Sequence, residues 1–152
     1  MKHGFIKVAA AAPEIRVADP MFNADAVIRA MDEHARLGVK VLVFPELTLT
    51  GATCGDLFYQ NTLLAGAAAA LEKVVQASEG KDMLVFVGLP VVQGAKVYDA
   101  AAAVCNGELI GVVPASCPGD KHFALPGALL DDIQIGSLGP VDFHPPPLFQ
   151  HS

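Results

Sequence analysis

Apolar and polar positions follow two different periods along the first two thirds of the chain, and each period predicts one kind of element. Short apolar runs rich in β-branched residues predict strands, and stripes of apolar residues at helical spacing predict amphipathic helices. The predicted strands cover residues 5–11, 39–44 and 83–89. The first predicted helix has Asn23 as its N-cap and ends at Gly38, and the second covers residues 62–78.

A hairpin follows the third strand. Asn106-Gly107 is a strong signal for a two-residue turn, and it separates apolar runs at residues 97–105 and 109–113. The run at 39–44 is broken only by Lys40, which is typical of a strand covered on both faces. The order strand, helix, strand, helix, strand, hairpin favours a layered α/β fold with helices packed on a buried sheet.

The pattern weakens after Val113. Residues 132–138 predict one strand, with Gly139-Pro140 as the turn that follows it. The run Pro145–Pro147 fits neither a helix nor a central strand. We therefore expect residues 1–114 to form a well-specified domain part and residues 115–152 to be a divergent, poorly specified continuation.

Composition excludes several classes of protein. The 152 residues suffice for one domain, and 53% apolar against 17% charged residues argues against intrinsic disorder. The net charge of −6 comes without a basic stripe, so no nucleic-acid partner is expected. No apolar run approaches the roughly 20 residues that span a bilayer, and three widely spaced cysteines form no disulfide framework. We expect a soluble, mildly acidic cytoplasmic protein.

Glu46 is the first candidate for chemistry, because it follows Pro45 directly at the carboxyl end of a predicted buried strand. Ligands bind and catalytic groups project at this edge of open α/β sheets. A carboxylate partly desolvated there suits a general base. The alternative is an ordinary strand-end glutamate that faces water.

The residues around Glu46 carry a resemblance to a known family. The segment 43–51, Val-Phe-Pro-Glu-Leu-Thr-Leu-Thr-Gly, resembles the glutamate motif of the nitrilase, or carbon–nitrogen hydrolase, superfamily. Residues 2–10 and 55–64 are similar to segments of the glutaminase domain of glutamine-dependent NAD synthetases, and generic nitrilases lack the second segment. Further matches follow at residues 87–90, 97–101 and 107–114.

The resemblance implies a nitrilase-like αββα sandwich, of which this chain is expected to hold only the first part. It also implies a Glu-Lys-Cys triad that hydrolyses the side-chain amide of glutamine, with Glu46 as general base. Ala115 occupies the position of the family's lysine, and Lys121 lies six residues further on. The nucleophilic cysteine belongs to a later strand that this sequence does not reach. Phe123 is the one residue of this chain that the resemblance assigns to the family's glutamine-binding segment.

Two further positions depart from the family pattern: Ala52 replaces a tyrosine, and Asp99 stands where the family prefers asparagine. Among the local cysteines, Cys54 is the best substitute nucleophile, although a small buried residue is the simpler interpretation. Cys105 falls in the hairpin and is expected to be structural, and Cys117 lies in the divergent segment.

The sequence predicts no cofactor or metal in this chain. It contains neither a GxGxxG nor a Walker motif, and the resemblance places ATP and Mg²⁺ in a synthetase domain that is absent here. His34 is expected to be a packed core histidine, and His144 and His151 lack the spacing of a metal site.

The leading hypothesis is a glutamine amidohydrolase domain that supplies ammonia for ATP-dependent NAD synthesis from deamido-NAD. The chain alone is expected to be inactive, because the lysine and cysteine of the triad are not found. A truncated or degenerate non-catalytic fragment of the nitrilase fold is the alternative, and another nitrilase-branch amidase is a third possibility. Because the family forms large homo-oligomers, a homo-oligomer is a possible state.

Overall fold

The computed structural model describes residues 4–126 and 130–144, and its central feature is a mixed sheet of five strands. Spatial order follows chain order: β1–β3 are parallel, whereas β3, β4 and β5 are antiparallel neighbours. The strands are β1 (Lys7–Ala10), β2 (Val39–Val43), β3 (Leu84–Gln93), β4 (Lys96–Cys105) and β5 (Glu108–Pro114). The first three residues of the chain, the run Pro145–Pro147 and His151 lie outside the described residues.

Two α-helices, α1 (Pro20–Arg36) and α2 (Asn61–Ala77), pack on one face of this sheet. Their apolar stripes meet the alternate side chains of the strands, because successive strand residues point to opposite faces. The core formed there includes Val27 and Met31 of α1, Leu71 and Val74 of α2, and Val85, Val87 and Leu89 of β3, all fully buried. The predicted layered α/β fold is confirmed. No helix in the described part of the chain combines the length and apolarity needed to cross a membrane.

The opposite face of the sheet is open. Val43 on β2 is 43% exposed, and Ile110 and Val113 on β5 are 55% and 40% exposed. The expectation that the 39–44 strand is covered on both faces therefore holds for one face only within the described residues. The open face matters for function because the loop that carries Glu46 lies against it.

The first helix begins earlier than its sequence pattern suggested. Pro20 occupies the first turn, where a missing N–H costs nothing, and Asp19 Oδ1 accepts a hydrogen bond from Phe22 N at 3.2 Å. The N-cap is therefore Asp19 rather than the predicted Asn23. The side chain of Asn23 is fully buried and bonds to two loops instead.

The segment after residue 130 forms two short antiparallel strands, β6 (Ile133–Ile135) and β7 (Leu138–Val141), rather than the single predicted strand. Gly136 breaks the run with a φ of 58°, and Ser137 N donates to the Glu72 carboxylate on α2 at 2.7 Å. Ile133, Ile135 and Phe143 are buried in the main core. The hairpin thus packs beside α2 on the helix-covered face.

Candidate functional site

A cavity of about 490 Å³ opens where the carboxyl end of β2 meets β3, β4 and the end of β5. Its walls are mostly apolar, and two carboxyl groups, Glu46 and Asp99, line it together. The lining residues come from four stretches of the chain: 43–46, 86–88, 99–101 and 113–117. Glu46 thus lies in the cavity lining, and its role as general base stays a prediction.

The loop that carries Glu46 is held on the sheet by main-chain hydrogen bonds. Phe44 N donates to Phe86 O at 2.9 Å, and Leu49 N donates to Gly88 O at 3.1 Å. Gly88 permits this close approach, because a Cβ there would lie 2.4 Å from Leu47 N and 2.8 Å from Pro45 O. Glu46 is therefore placed by backbone contacts with β3.

Asn23 anchors the same loop from the other side. Its Nδ2 donates to Leu49 O at 3.1 Å and to Arg16 O at 2.8 Å, and its Oδ1 accepts from Arg16 N at 2.7 Å. A buried amide with its hydrogen bonds satisfied fixes the backbone around it. Sequence analysis missed this positioning role because Asn at the start of a helix resembles an ordinary N-cap.

The two carboxyl groups of the cavity differ in environment. Glu46 is exposed to solvent while it lines the cavity, whereas Asp99 on β4 is only 3% exposed. Burial raises the pKa of Asp99 to about 8, with a hydrogen bond to the Glu46 side chain and the negative charges of Glu46 and Asp120 acting in the same direction. The sequence predicted partial desolvation of Glu46, and this expectation is wrong: Glu46 is exposed, and the desolvated carboxyl group at this edge is Asp99.

Ala115, which the resemblance assigns to the family's lysine position, lines the cavity, and its N–H donates to Asp99 O at 2.7 Å. Lys121 is exposed and does not line it. Among the described residues, the lining contains no Lys, Arg or His, so it offers no cationic side chain to a phosphate group.

The cysteines divide between two places. Cys54 is buried in a small apolar cluster with Leu47 and Phe58, outside the cavity lining, and its thiol lies 3.2 Å from Thr50 O. Burial raises the pKa of this thiol, which keeps it in the unreactive protonated form. Cys117 is exposed and lines the cavity, and Cys105 lies at the end of β4. Among the described residues, Cys117 is therefore the cysteine that lines the cavity together with Glu46, and it lies in the segment where the sequence pattern weakens.

Phe123 belongs to the small apolar cluster rather than to the cavity lining. Its ring packs on Phe58 with centroids 4.7 Å apart. Both ring nitrogens of the neighbouring His122 lie within hydrogen-bond distance of a carboxylate oxygen. Nδ1 is 2.5 Å from Asp120 Oδ1, and Nε2 is 3.0 Å from Asp56 Oδ1. These contacts join residues 120–123 to the short 3₁₀ helix at Gly55–Tyr59. A substrate contact for Phe123 stays a prediction.

The remaining histidines lie elsewhere. His34 is half-buried on α1, with Nδ1 2.7 Å from Ala30 O, which agrees with the expected structural role. His144 is exposed, and its ligand atom lies within 4.8 Å of those of Asp132 and Asp142, also exposed. These side chains lie outside the cavity lining.

Sequence reasoning identified Glu46 but did not connect it with Asp99. The available signal was a charged residue inside the otherwise apolar run 97–105. Buried charged side chains are rare unless they have a partner or a function. That rule points to Asp99 before any coordinates are known, although it does not name its partner.

Comparison with known proteins agrees with the geometry. Residues 7–113 match the carbon–nitrogen hydrolase family. A glutamine-dependent NAD(+) synthetase of Mycobacterium tuberculosis is 34% identical over 115 residues, which are 76% of this chain and 17% of that protein. One from Xylella fastidiosa is 33% identical over 109 residues, covering 69% of this chain and 19% of the relative. The chain thus spans less than one fifth of the length of these relatives.

Solved structures show the same fold. A glutamine-dependent NAD(+) synthetase from Cytophaga hutchinsonii superposes with a TM-score of 0.74 at 24% identity, over 79% of this chain and 22% of that one. An amidase from Nesterenkonia sp. AN1 in complex with acrylamide gives a TM-score of 0.69 at 17% identity, over 84% of this chain and 50% of that one. The predicted nitrilase-like architecture is confirmed for the matched part.

Proposed function

Because the chain belongs to the carbon–nitrogen hydrolase family, we propose that it forms the first part of a glutamine amidohydrolase domain. In this proposal residues 1–114 are the conserved part of the domain and residues 115–152 its divergent continuation. The names of the relatives support glutamine as the substrate and NAD synthesis as the use of the ammonia. The observation that carries the proposal is Glu46, held at the carboxyl end of β2 in the wall of the cavity.

Amide hydrolysis sets clear demands on such a cavity. The C–N bond of the glutamine side chain breaks, and the nitrogen leaves as ammonia with the one proton that the nucleophile gave to the base. Water then supplies the oxygen of the new carboxylate and returns a proton to the nucleophile. A base must take the nucleophile's proton, and a positive or hydrogen-bonding group must stabilise the oxyanion. The Glu46 side chain is exposed, so a substrate can contact it, and hydrogen bonds between its loop and β3 fix the position of its backbone.

The described lining of the cavity supplies the other two parts poorly. It contains no cationic side chain, the resemblance assigns Ala115 to the lysine position, and its thiol belongs to Cys117 in the divergent segment. Loss of one oxyanion-stabilising group costs roughly 10²–10³-fold in turnover, and members of a catalytic unit lose their effects together. We therefore propose that this chain alone binds the amide but does not hydrolyse it.

The test measures ammonia and binding in parallel. The purified chain is incubated with glutamine, and ammonia is followed by a coupled glutamate dehydrogenase assay. Binding is followed by the NMR amide signals of residues 99–101 and 113–117 during a glutamine titration. We expect ammonia at the level of the enzyme-free blank, together with glutamine-dependent shifts that Glu46→Gln weakens.

The variant Cys117→Ser controls for adventitious thiol chemistry, since Cys117 lines the cavity. Ammonia release that disappears in Glu46→Gln would contradict the proposed inactivity. Absence of any shift at the cavity amides would contradict glutamine as the ligand. A cytoplasmic location, which the composition predicted, and a homo-oligomeric state, which the resemblance implied, stay predictions.

A further inference from the structure

The buried carboxyl group of Asp99 in the cavity wall has one oxygen atom without a hydrogen-bond partner among the described residues. The residue is only 3% exposed, and no hydrogen-bond donor within the described residues reaches its Oδ2 atom. The opposite residue on β3 is Pro90, which has no N–H to offer. The N–H of Ala115 is already used by the main-chain oxygen of Asp99.

The charged groups that face Asp99 are all acidic. Glu46 approaches from the loop after β2, and Asp120 acts from the segment after β5. From β3, Pro90 and Gly88 bring no charge. Two carboxylates in contact do not both ionise without a large cost, and each accepts hydrogen bonds but donates none. One proton placed between them removes the repulsion and supplies the missing donor.

We propose that Asp99 is a positioning residue that shares a single proton with Glu46 and thereby holds the Glu46 carboxylate in the cavity as a hydrogen-bond acceptor. The buried partner keeps the proton, because the charge is tolerated better on the exposed Glu46. The pair then carries one negative charge in an apolar wall. Such a site accepts the N–H groups of a neutral carboxamide and repels a free carboxylate.

This inference rests on the proposed function only where it gives Glu46 the role of base. The shared proton itself is a property of the folded chain and needs no substrate. Its test therefore measures side-chain carboxyl groups directly, in the absence of glutamine.

The experiment is a ¹³C NMR titration of the side-chain carboxyl carbons of Asp and Glu in the full chain. We expect the Asp99 carbon to titrate several pH units above an ordinary aspartate. In Glu46→Gln the Asp99 midpoint falls by at least one pH unit, because the neighbouring charge is gone, and it stays above the ordinary range, because burial remains.

Positioning is read from the side-chain couplings that report the Glu46 rotamer. Asp99→Ala, which removes the donor, should spread Glu46 over several rotamers, whereas Asp99→Asn, which donates permanently, should keep one. An Asp99 midpoint in the ordinary range, or one that Glu46→Gln leaves unchanged, overturns the proposal. The exposed Glu46→Gln substitution is not expected to disturb folding, so this second outcome is decisive even if a change at Asp99 prevents folding. Neither outcome depends on the ammonia assay, so the two proposals fail separately.

Discussion

The buried carboxyl of Asp99 ties the stability of the whole chain to pH, and the substitution Asp99→Asn should remove that dependence. Burial and the neighbouring Glu46 raise the pKa of Asp99 from 3.8 to about 8 in the folded state. Between these two values the folded chain keeps a proton that the unfolded chain releases. The stabilisation is therefore fully present below the unfolded pKa and is lost as pH rises through the folded pKa.

The expected magnitude follows from this difference. With one proton more on the folded state, the free energy of unfolding falls by about 1.4 kcal/mol for each pH unit. From about pH 5 to pH 7 the loss amounts to about 3 kcal/mol, a large share of the 5–15 kcal/mol typical of a domain. An asparagine has nearly the same shape and still donates a hydrogen bond, but it does not titrate. The slope that belongs to this site should vanish in Asp99→Asn.

Urea unfolding at pH 5, 6, 7 and 8 measures both curves. Asp131→Asn is the matched control, because it removes one carboxylate of the same type from an exposed position. We expect the control to keep the wild-type slope and Asp99→Asn to be flatter by about 1.4 kcal/mol per pH unit. Parallel curves for the wild type and Asp99→Asn would refute the reasoning.

Two further predictions concern the segments around the cavity. Gly88→Ala should lower the free energy of unfolding by about 1–3 kcal/mol and shift the amide NMR signals of Glu46 and Leu47, because its Cβ would lie 2.4 Å from the Leu47 backbone nitrogen. Gly119→Ala, in open space, should do neither, and equal effects of the two would contradict this account. His122→Asn should lower the melting temperature more at pH 6 than at pH 9. Hydrogen bonds to Asp120 and Asp56 raise the pKa of His122 in the folded state. The contribution of His122 to stability is therefore lost as pH rises through that pKa. A melting-temperature difference that does not shrink towards pH 9 would contradict it.

Local signals predicted the elements well where one residue type decides the backbone. Asn106 and Gly107 adopt φ of 46° and 79°, as their two-residue turn requires, and the strands on either side begin within one residue of their predicted positions. The single strand predicted at 132–138 is wrong for a related reason. Gly136 adopts a positive φ there and Ser137 bonds to Glu72 on α2, a tertiary contact that no local pattern reveals.

The candidate site was predictable to the extent that it depends on the order of elements. Glu46 lies at a strand end, and the position of a strand end can be predicted from hydrophobic periodicity. Its relation to Asp99 depends on the antiparallel register that sets Asp99 opposite Pro90, and on the close approach of the 45–47 loop to Gly88. Both are long-range contacts, and the hydrophobic periodicity of a single sequence does not predict such contacts.

The resemblance assigns Ala115 to the family's lysine position and Asp99 to a position where the family prefers asparagine. Both residues line this cavity, and Ala115 N donates to the main-chain oxygen of Asp99. On these assignments both changes make the electrostatic potential of the cavity less positive. A developing oxyanion needs positive potential, so each change opposes it. The shared proton reduces this opposition, because it keeps Glu46 and Asp99 together at one negative charge instead of two. A lysine introduced at position 115 alone would form an ion pair with the remaining negative charge, and its own charge would then be neutralised. Stabilising the oxyanion of amide hydrolysis therefore also requires a neutral residue at position 99.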